Sequence, residues 1–455
     1  MRHLFCRLAL TGNGWAEDVR LTIDGGRIVS IETGARRDAG DERAGIVIPG
    51  LANAHSHAFQ RVLAGHTEHR GPAGKDNFWS WRSRMYALAG QVDGSVLEAI
   101  ATQAYCEMVA TGFTSVAEFH YLHNEPGEGA PSDAMYRALA AAAATSGIRM
   151  TYVPVLYERA GFTRAEPTAD QQRFTRTAGE FIEHFETVSQ QCADRIGTGI
   201  GVHSLRAVSA GSLSRIARLA ADHSVPMHIH IAEQQREVEV CLEHHGQRPV
   251  AWLLDKFAVD DYWCLVHATH MDAGEVAGAA ASSAVAGLCP TTEANLGDGI
   301  FPAVEYLGAG GRFAVGSDSH VTVDPAQELR LLEYGQRLQQ SRRNLLASAS
   351  QPAVGEFLYR GALAGGAAAL GMETGAIRPG ARADLVVLDG DHPGLCGKRG
   401  AGLLDSWIFA CSSSPVRDVM VGGEWQVRDG VHPREDAAAA AFRRVVESLV
   451  GPSTG

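Results

Sequence analysis

A (β/α)8 TIM-type barrel with a small β-sandwich domain built from both chain ends is the fold this sequence predicts. Three observations predict it. Short apolar strands alternate with helical segments through the middle of the chain, as a barrel of βα units requires. Strand-textured segments rich in turn residues stand at the two ends. Metal-ligating and ionisable residues recur where the central strands stop, which is where barrels of this kind carry their chemistry.

The first 47 residues alternate in strand fashion. Val19, Leu21 and Ile23 precede Asp24-Gly25-Gly26, and Ile28 and Ile31 follow it, the pattern of a hairpin. The same texture returns late in the chain, as Ala383 to Leu388 and then Val416 to Val421, with a Gly422-Gly423 turn leading into Trp425-Gln426-Val427. Residues 1–47 and 373–455 are therefore assigned to one small domain around a barrel of residues 48–372, since chain ends often lie close together. From Glu435 to Leu449 the apolar residues Phe442, Val445, Val446 and Leu449 fall on one helical face. Ser453 to Gly455 reads as a frayed tail.

Between the ends, strands are expected at 46–55, 113–119, 150–156, 198–203, 226–232, 263–268, 284–289 and 313–317. Helices separate them, for example 96–110 before Gly112 and 213–222 before the fifth strand. A doubly wound open sheet is the alternative. No Gly-rich phosphate loop follows any strand, so nucleotide binding has no support.

With 455 residues, 45% of them hydrophobic, the chain can bury a large core. Its net charge of −12 argues against nucleic acid and anionic membrane as partners. No apolar run approaches the roughly 18 residues of a membrane span, and the N-terminus lacks the form of a signal peptide. The eight cysteines are scattered with no CxxC pair, which fits reduced thiols and a cytoplasmic location. A homodimer is expected on base rate alone.

The stretch Pro49 to Gln60, PGLANAHSHAFQ, organises the rest. Side chains two apart on a strand face one way, so His55 and His57 can converge on one metal ion. Later strand ends supply Glu118 with His120 and Tyr121, Tyr157, and His203 with Arg206. They continue with His230 and Glu233, His267 and His270, Thr291 and Glu293, and Asp318 and His320. His228 lies deeper than His230 and reads as a core histidine. Three imidazoles and one carboxylate suit zinc or another divalent first-row ion with a position left for water.

PGLANAHSH, HIHIAE, the strand-end His267 and GSDSH resemble the amidohydrolase superfamily of metal-dependent hydrolases. The split β domain is similar to that superfamily's companion domain. Within it, HSHAFQR, FWSWR, AEFHYLH, HSLRAV, HIHIAEQQ, LVHATH and TTEANLGDGIFP are similar to the branch that acts on N-formimino-L-glutamate in histidine degradation. The resemblance covers nearly the whole chain and implies His55, His57, His230 and Asp318 as ligands of one divalent ion, Zn2+ first among candidates. Two-metal relatives use a carboxylated lysine on a central strand. This chain has only Lys75, Lys256 and Lys398, none at a strand end, so one metal is expected.

The resemblance also implies hydrolysis to N-formyl-L-glutamate and ammonia, with Asp318 taking a proton from the attacking water, His267 orienting it and Glu233 relaying a proton to the leaving nitrogen. The substrate is a dicarboxylate, and planar guanidinium groups pair well with carboxylates. Arg82, on the long loop after the first strand, and Arg206 are the expected partners, with Gln60, Tyr121 and His203 completing the pocket. The segment Glu68 to Lys75 is read as part of a mobile lid that runs into FWSWR and delivers Arg82. Two rival readings are an aminopurine or aminopyrimidine deaminase on the same scaffold and a non-catalytic protein with a degenerate site. Full retention of ligands and proton-handling residues speaks against the second.

Overall fold

The computed structural model describes residues 1–70, 76–127, 132–192 and 195–450. The chain opens with β1 (Arg2–Thr11), β2 (Gly14–Asp24), β3 (Arg27–Glu32) and β4 (Glu42–Pro49). It continues through β5 (Leu51–Ser56), β6 (Phe113–His120), β7 (Arg149–Leu156), β8 (Ile196–Thr198), β9 (Ile200–Ser204), β10 (Met227–Ile231), β11 (Trp263–His267), β12 (Val285–Leu288) and β13 (Arg312–Val315). Last come β14 (Leu385–Leu388), β15 (Val416–Val421) and β16 (Glu424–Val427).

Two sheets result. The smaller runs β16-β15-β14-β4-β1-β2-β3 and so joins both chain ends, as the strand texture predicts. Its two tight hairpins turn on Gly25-Gly26 and Gly422-Gly423, whose φ angles of 54°, 74°, 58° and 82° match the left-handed turn that suits strand twist. The larger sheet is a parallel ring, β5-β6-β7-β9-β10-β11-β12-β13, with β8 paired only to β7. Every residue of β6, β7, β10 and β11 is buried, as strands covered on both faces must be.

The ring closes at the residues that carry chemistry. Ser56 bridges to Asp318, with Asp318 N donating to His55 O at 3.0 Å and His57 N donating to Asp318 O at 3.1 Å. A Cβ on Gly316 would stand 2.6 Å from His55 N, so only glycine lets the eighth strand approach the first this closely. Here the structure corrects one sequence boundary. Ile46 to Ile48, expected to start the first barrel strand, pair instead with β1 and β14 in the small sheet, and the chain breaks at Gly50 before entering the barrel. An apolar run cannot reveal which of two sheets it enters.

The C-terminal helix Glu435–Val450 packs its Phe442, Val445, Val446 and Leu449 against the core, as the periodicity predicts. All eight cysteines are unpaired, and six are buried. No helix among the described residues is long and apolar enough to cross a membrane.

Candidate active site

The histidines meet at the mouth of the barrel. His55 on β5 is fully buried, and its Nε2 lies 3.1 Å from His57 Nε2 and 2.9 Å from His230 Nε2. Asp318 Oδ1 stands 3.3 Å from His57 Nε2 and 3.6 Å from His55 Nε2. Burial lowers the pKa of His57 to about 3 and holds His55 and His230 well below the usual 6.5, so all three present lone pairs rather than charges. His57 Nδ1 donates to Phe119 O at 2.8 Å, which leaves its Nε2 as the unprotonated nitrogen.

Lone pairs aimed at one another across about 3 Å repel unless a cation lies among them. Donor atoms around a tetrahedral zinc stand roughly 3.3 Å apart, from bonds of about 2.0–2.1 Å. The donor set therefore fits a divalent ion. Among the described residues three overlapping clusters emerge, His55 with His57 and Asp318, His55 with His230 and His267, and His267 with Cys289 and Glu293, each with its ligand atoms within 4.8 Å of one another.

His267 stands opposite. Its Nδ1 donates to Glu293 Oε1 at 3.2 Å, and its Nε2 lies 3.8 Å from Glu233 and 3.9 Å from Asp318. Burial alone would lower its pKa, but Glu233, Glu293 and Asp318 outweigh burial and raise it to about 10. Glu233 is raised to about 7, first by burial, with His267 opposing and Asp318 and Glu237 adding. Asp318 is raised to about 6, again first by burial. The backbone is strained here: Ala232, His267, Asp318 and His320 all take positive φ, at 50°, 66°, 48° and 60°. Such non-glycine outliers cost roughly 1–3 kcal/mol each and concentrate at functional sites.

One pocket gathers His57, Gln60, Arg82, Tyr121, His203, Arg206, His230, Glu233, His267 and Asp318. His55 lies just beneath. Gln60 Nε2 donates to Tyr121 OH at 2.9 Å, and its Oε1 is buried with no partner. Arg206 Nη1 is likewise a buried donor without a partner.

Arg82 departs from expectation in its setting. It sits not on a loop but on the helix Phe78–Ala89, capped by Asn77, whose side chain accepts from Trp79 N and Ser80 N. Phe78, Trp81, Arg82, Met85 and Tyr86 line the pocket, and their i, i+3, i+4, i+7, i+8 spacing is one helical face. FWSWRSRMYALA holds no glycine or proline to break a helix, which is the local signal for this element. Trp79 stacks on the Arg82 guanidinium, 4.4 Å from ring to carbon, and Tyr86 lies 5.4 Å away. Of the expected lid, residues 71–75 lie outside the described residues.

Other strand-end candidates do not enter the pocket. Glu118 faces the helix Gly94–Thr111, accepting from Ser56 Oγ, Ala58 N and Tyr105 OH at 2.5, 2.8 and 3.0 Å. His320 joins the same outer network through Ser56 and Ser317. His120 packs beside His123 and Tyr152, His270 hydrogen-bonds Asp298 O, and Thr291 hydrogen-bonds Glu328. Tyr157 lies behind His203, ring against ring. His228 hydrogen-bonds Ala369 O at 2.7 Å, the core role expected of it. Glu293 stands among the strand-end residues expected from sequence, but its pairing with His267 was not legible there, because the contact crosses from one βα unit to the next.

The comparisons with known proteins agree with this geometry. Residues 46–426 match the amidohydrolase family model, and residues 1–45 match the model of the N-terminal domain of formimidoylglutamate deiminase HutF. A formimidoylglutamate deiminase of Pseudomonas aeruginosa is 46% identical over 99% of this chain and 100% of that protein. A 5-methylthioadenosine/S-adenosylhomocysteine deaminase of Halobacterium salinarum is 30% identical over 92% of this chain and 91% of its own length. A crystal structure of an amidohydrolase from Brucella melitensis superposes with a TM-score of 0.93 at 43% identity, covering 99% of this chain and 100% of that one. The chain belongs to the amidohydrolase family, whose members are metal-dependent hydrolases. The match of both segments and of the full-length relative places it, within that family, among the formimidoylglutamate deiminases.

Proposed function

We propose that this protein hydrolyses N-formimino-L-glutamate to N-formyl-L-glutamate and ammonia in histidine degradation. One observation carries the reading: a single pocket joins the His/Asp donor set and the Glu233–His267–Asp318 group to two arginines suited to a dicarboxylate. His55, His57, His230 and Asp318 hold one divalent ion, Zn2+ by the chemistry of the donors. Such an ion supplies hydroxide at neutral pH by lowering the pKa of water from near 16 toward roughly 7.

The residues then divide the proton handling. Asp318 takes the proton of the attacking water, and its raised pKa matches that task. His267, locked by Glu293, donates from Nε2 to orient the nucleophile. The water oxygen bonds to the formimino carbon while Glu233, raised to about 7, delivers a proton to the imino nitrogen. The proton that Asp318 took from the water then passes to the same nitrogen, the hydroxyl proton returns to Glu233 as the formyl C=O forms, and the C–N bond breaks to release ammonia. Arg82 and Arg206 hold the two carboxylates, Tyr121 and His203 shape the wall, and the free Oε1 of Gln60 accepts an N–H from the substrate.

Purified protein should release ammonia and N-formyl-L-glutamate from N-formimino-L-glutamate and leave guanine, adenosine and cytosine untouched. Preferential turnover of an aminopurine or aminopyrimidine would replace this reading with the ring deaminase. We place the enzyme in the cytoplasm, which its eight unpaired cysteines support. Sedimentation velocity tests the homodimer.

A further inference from the structure

Glu237 begins one helical turn beyond Glu233, in the first turn of the helix Gln235–His245. It is buried, and its Oε2 accepts from Glu233 N at 3.2 Å. Its other oxygen, Oε1, is buried without a hydrogen-bond partner, as is Arg206 Nη1. Glu237 does not line the reaction pocket. It lines a second cavity of about 390 Å³ on the far side of Arg82 and Arg206, which both chambers share as a wall. Glu237 and Arg206 face each other as walls of this cavity without a direct hydrogen bond or ion pair, and against burial the charge of Glu237, more than that of Glu233, favours the charged guanidinium. In return, Arg206 is the main influence opposing the burial that raises Glu237.

We propose that Glu237 is a positioning residue for Arg206, the resident counter-charge that keeps the guanidinium turned toward the substrate carboxylate. The inference rests on the dicarboxylate-hydrolase reading above. A buried guanidinium needs a compensating charge when the site is empty, and one that lies behind it does not compete for the substrate's place. Because the same carboxylate grips the Glu233 backbone, the substrate-binding and proton-relay groups are set from one anchor.

A purely structural role can be told apart, since glutamine serves as well as glutamate in tying back a helix start. Glu237→Gln should therefore keep kcat within about threefold yet raise KM for N-formimino-L-glutamate about tenfold, the behaviour of lost ground-state and transition-state binding alike. Glu237→Ala, which also frees the Glu233 N–H, should lower kcat as well. In an Arg206→Ala background Glu237→Gln should change KM by less than about twofold, because the group it positions is gone. An unchanged or lowered KM in Glu237→Gln overturns the proposal, as does an equal rise with Arg206 absent. If wild-type protein fails to turn over the substrate, the functional reading fails instead. Calorimetric binding of glutarate to the same variants then still measures the Glu237–Arg206 coupling.

Discussion

At the scale of the residue, the proposed roles put Asp318 both on the metal and in proton transfer, while Glu233 serves proton transfer alone. Glu233 is outside the donor set but near His267, so Glu233→Gln should retain the metal and lose about 10²–10⁴-fold in kcat, the usual contribution of a general acid–base group. Elemental analysis beside steady-state kinetics checks both halves; a near-normal kcat would move the relay elsewhere. On the proposed reading, Arg82→Ala and Arg206→Ala each remove a charge-assisted contact to a substrate carboxylate, a loss of roughly 2–4 kcal/mol. Each should lower kcat/KM by tens- to a thousand-fold with metal content unchanged. An analogue lacking the α-carboxylate should lose less on replacing whichever arginine reads that group. Of the residues lining the pocket, His57, Tyr121, His203, Arg206, His230, Glu233, His267 and Asp318 were legible because strand-end placement and family motif pointed to the same positions, whereas Gln60 and Arg82 rested on the resemblance. Glu237 was not legible, and Glu293 showed only as a strand-end residue without its partner, since each acts on a group that only the folded chain brings near.

At the scale of the element, the helix Phe78–Ala89 is the piece to which the proposed reading assigns substrate selectivity. It brings Arg82 over the pocket on a face otherwise made of Phe78, Trp81, Met85 and Tyr86. Its first turn depends on Asn77, and capping side chains are typically worth about 1 kcal/mol. Asn77→Ala should loosen the end that carries Phe78 and Arg82, lowering kcat/KM about fivefold while leaving metal content and the global unfolding midpoint nearly unchanged. Loss of metal would instead mean that the helix supports the barrel mouth itself. The aromatics and the arginine are plain in the sequence but their helical setting is not, because the Gly- and Pro-rich residues before Asn77 give the whole stretch the composition of a loop. The hairpins and the C-terminal helix were plain, since Gly-Gly turns and a single apolar face each have one local solution.

At the scale of the whole molecule, closing the ring through Ser56 and Asp318 packs many neutral imidazoles into the barrel, and that sets its response to acid. Burial lowers His57 and His120 to about 3 and His228 to about 4, and holds His55, His123, His203, His230 and His320 well below 6.5. In the unfolded chain each returns to about 6.5, so below that pH unfolding takes up protons. Stability therefore falls as pH drops through this window, by up to about 1.4 kcal/mol per pH unit for each group. Buried carboxyls work the other way. Glu118 and Glu233 are raised to about 7, Asp318 to about 6 and Asp298 to about 9, with Glu237 and Glu328 also raised, burial leading in every case. Their contribution is full below about pH 4 and is withdrawn as pH rises through these values. The two sets partly cancel between about pH 4 and 6.5, whereas below about pH 4 the carboxyls are protonated in both states and the imidazoles act alone. Chelated protein should thus show a shallow decline in urea midpoint from pH 6.5 to about 4.5 and a steep one beneath it. Metal-loaded protein should start higher, because an ion that binds only the folded state stabilises it. That advantage should shrink as pH falls, since protons compete for the same nitrogens. Urea titrations of both forms across this range, with metal content followed in parallel, test the pair of expectations. A midpoint for the chelated form that stays flat from pH 6.5 to 3.5 would mean that the imidazoles take up protons without unfolding. A metal-dependent gain that does not change with pH would remove the histidines from the metal.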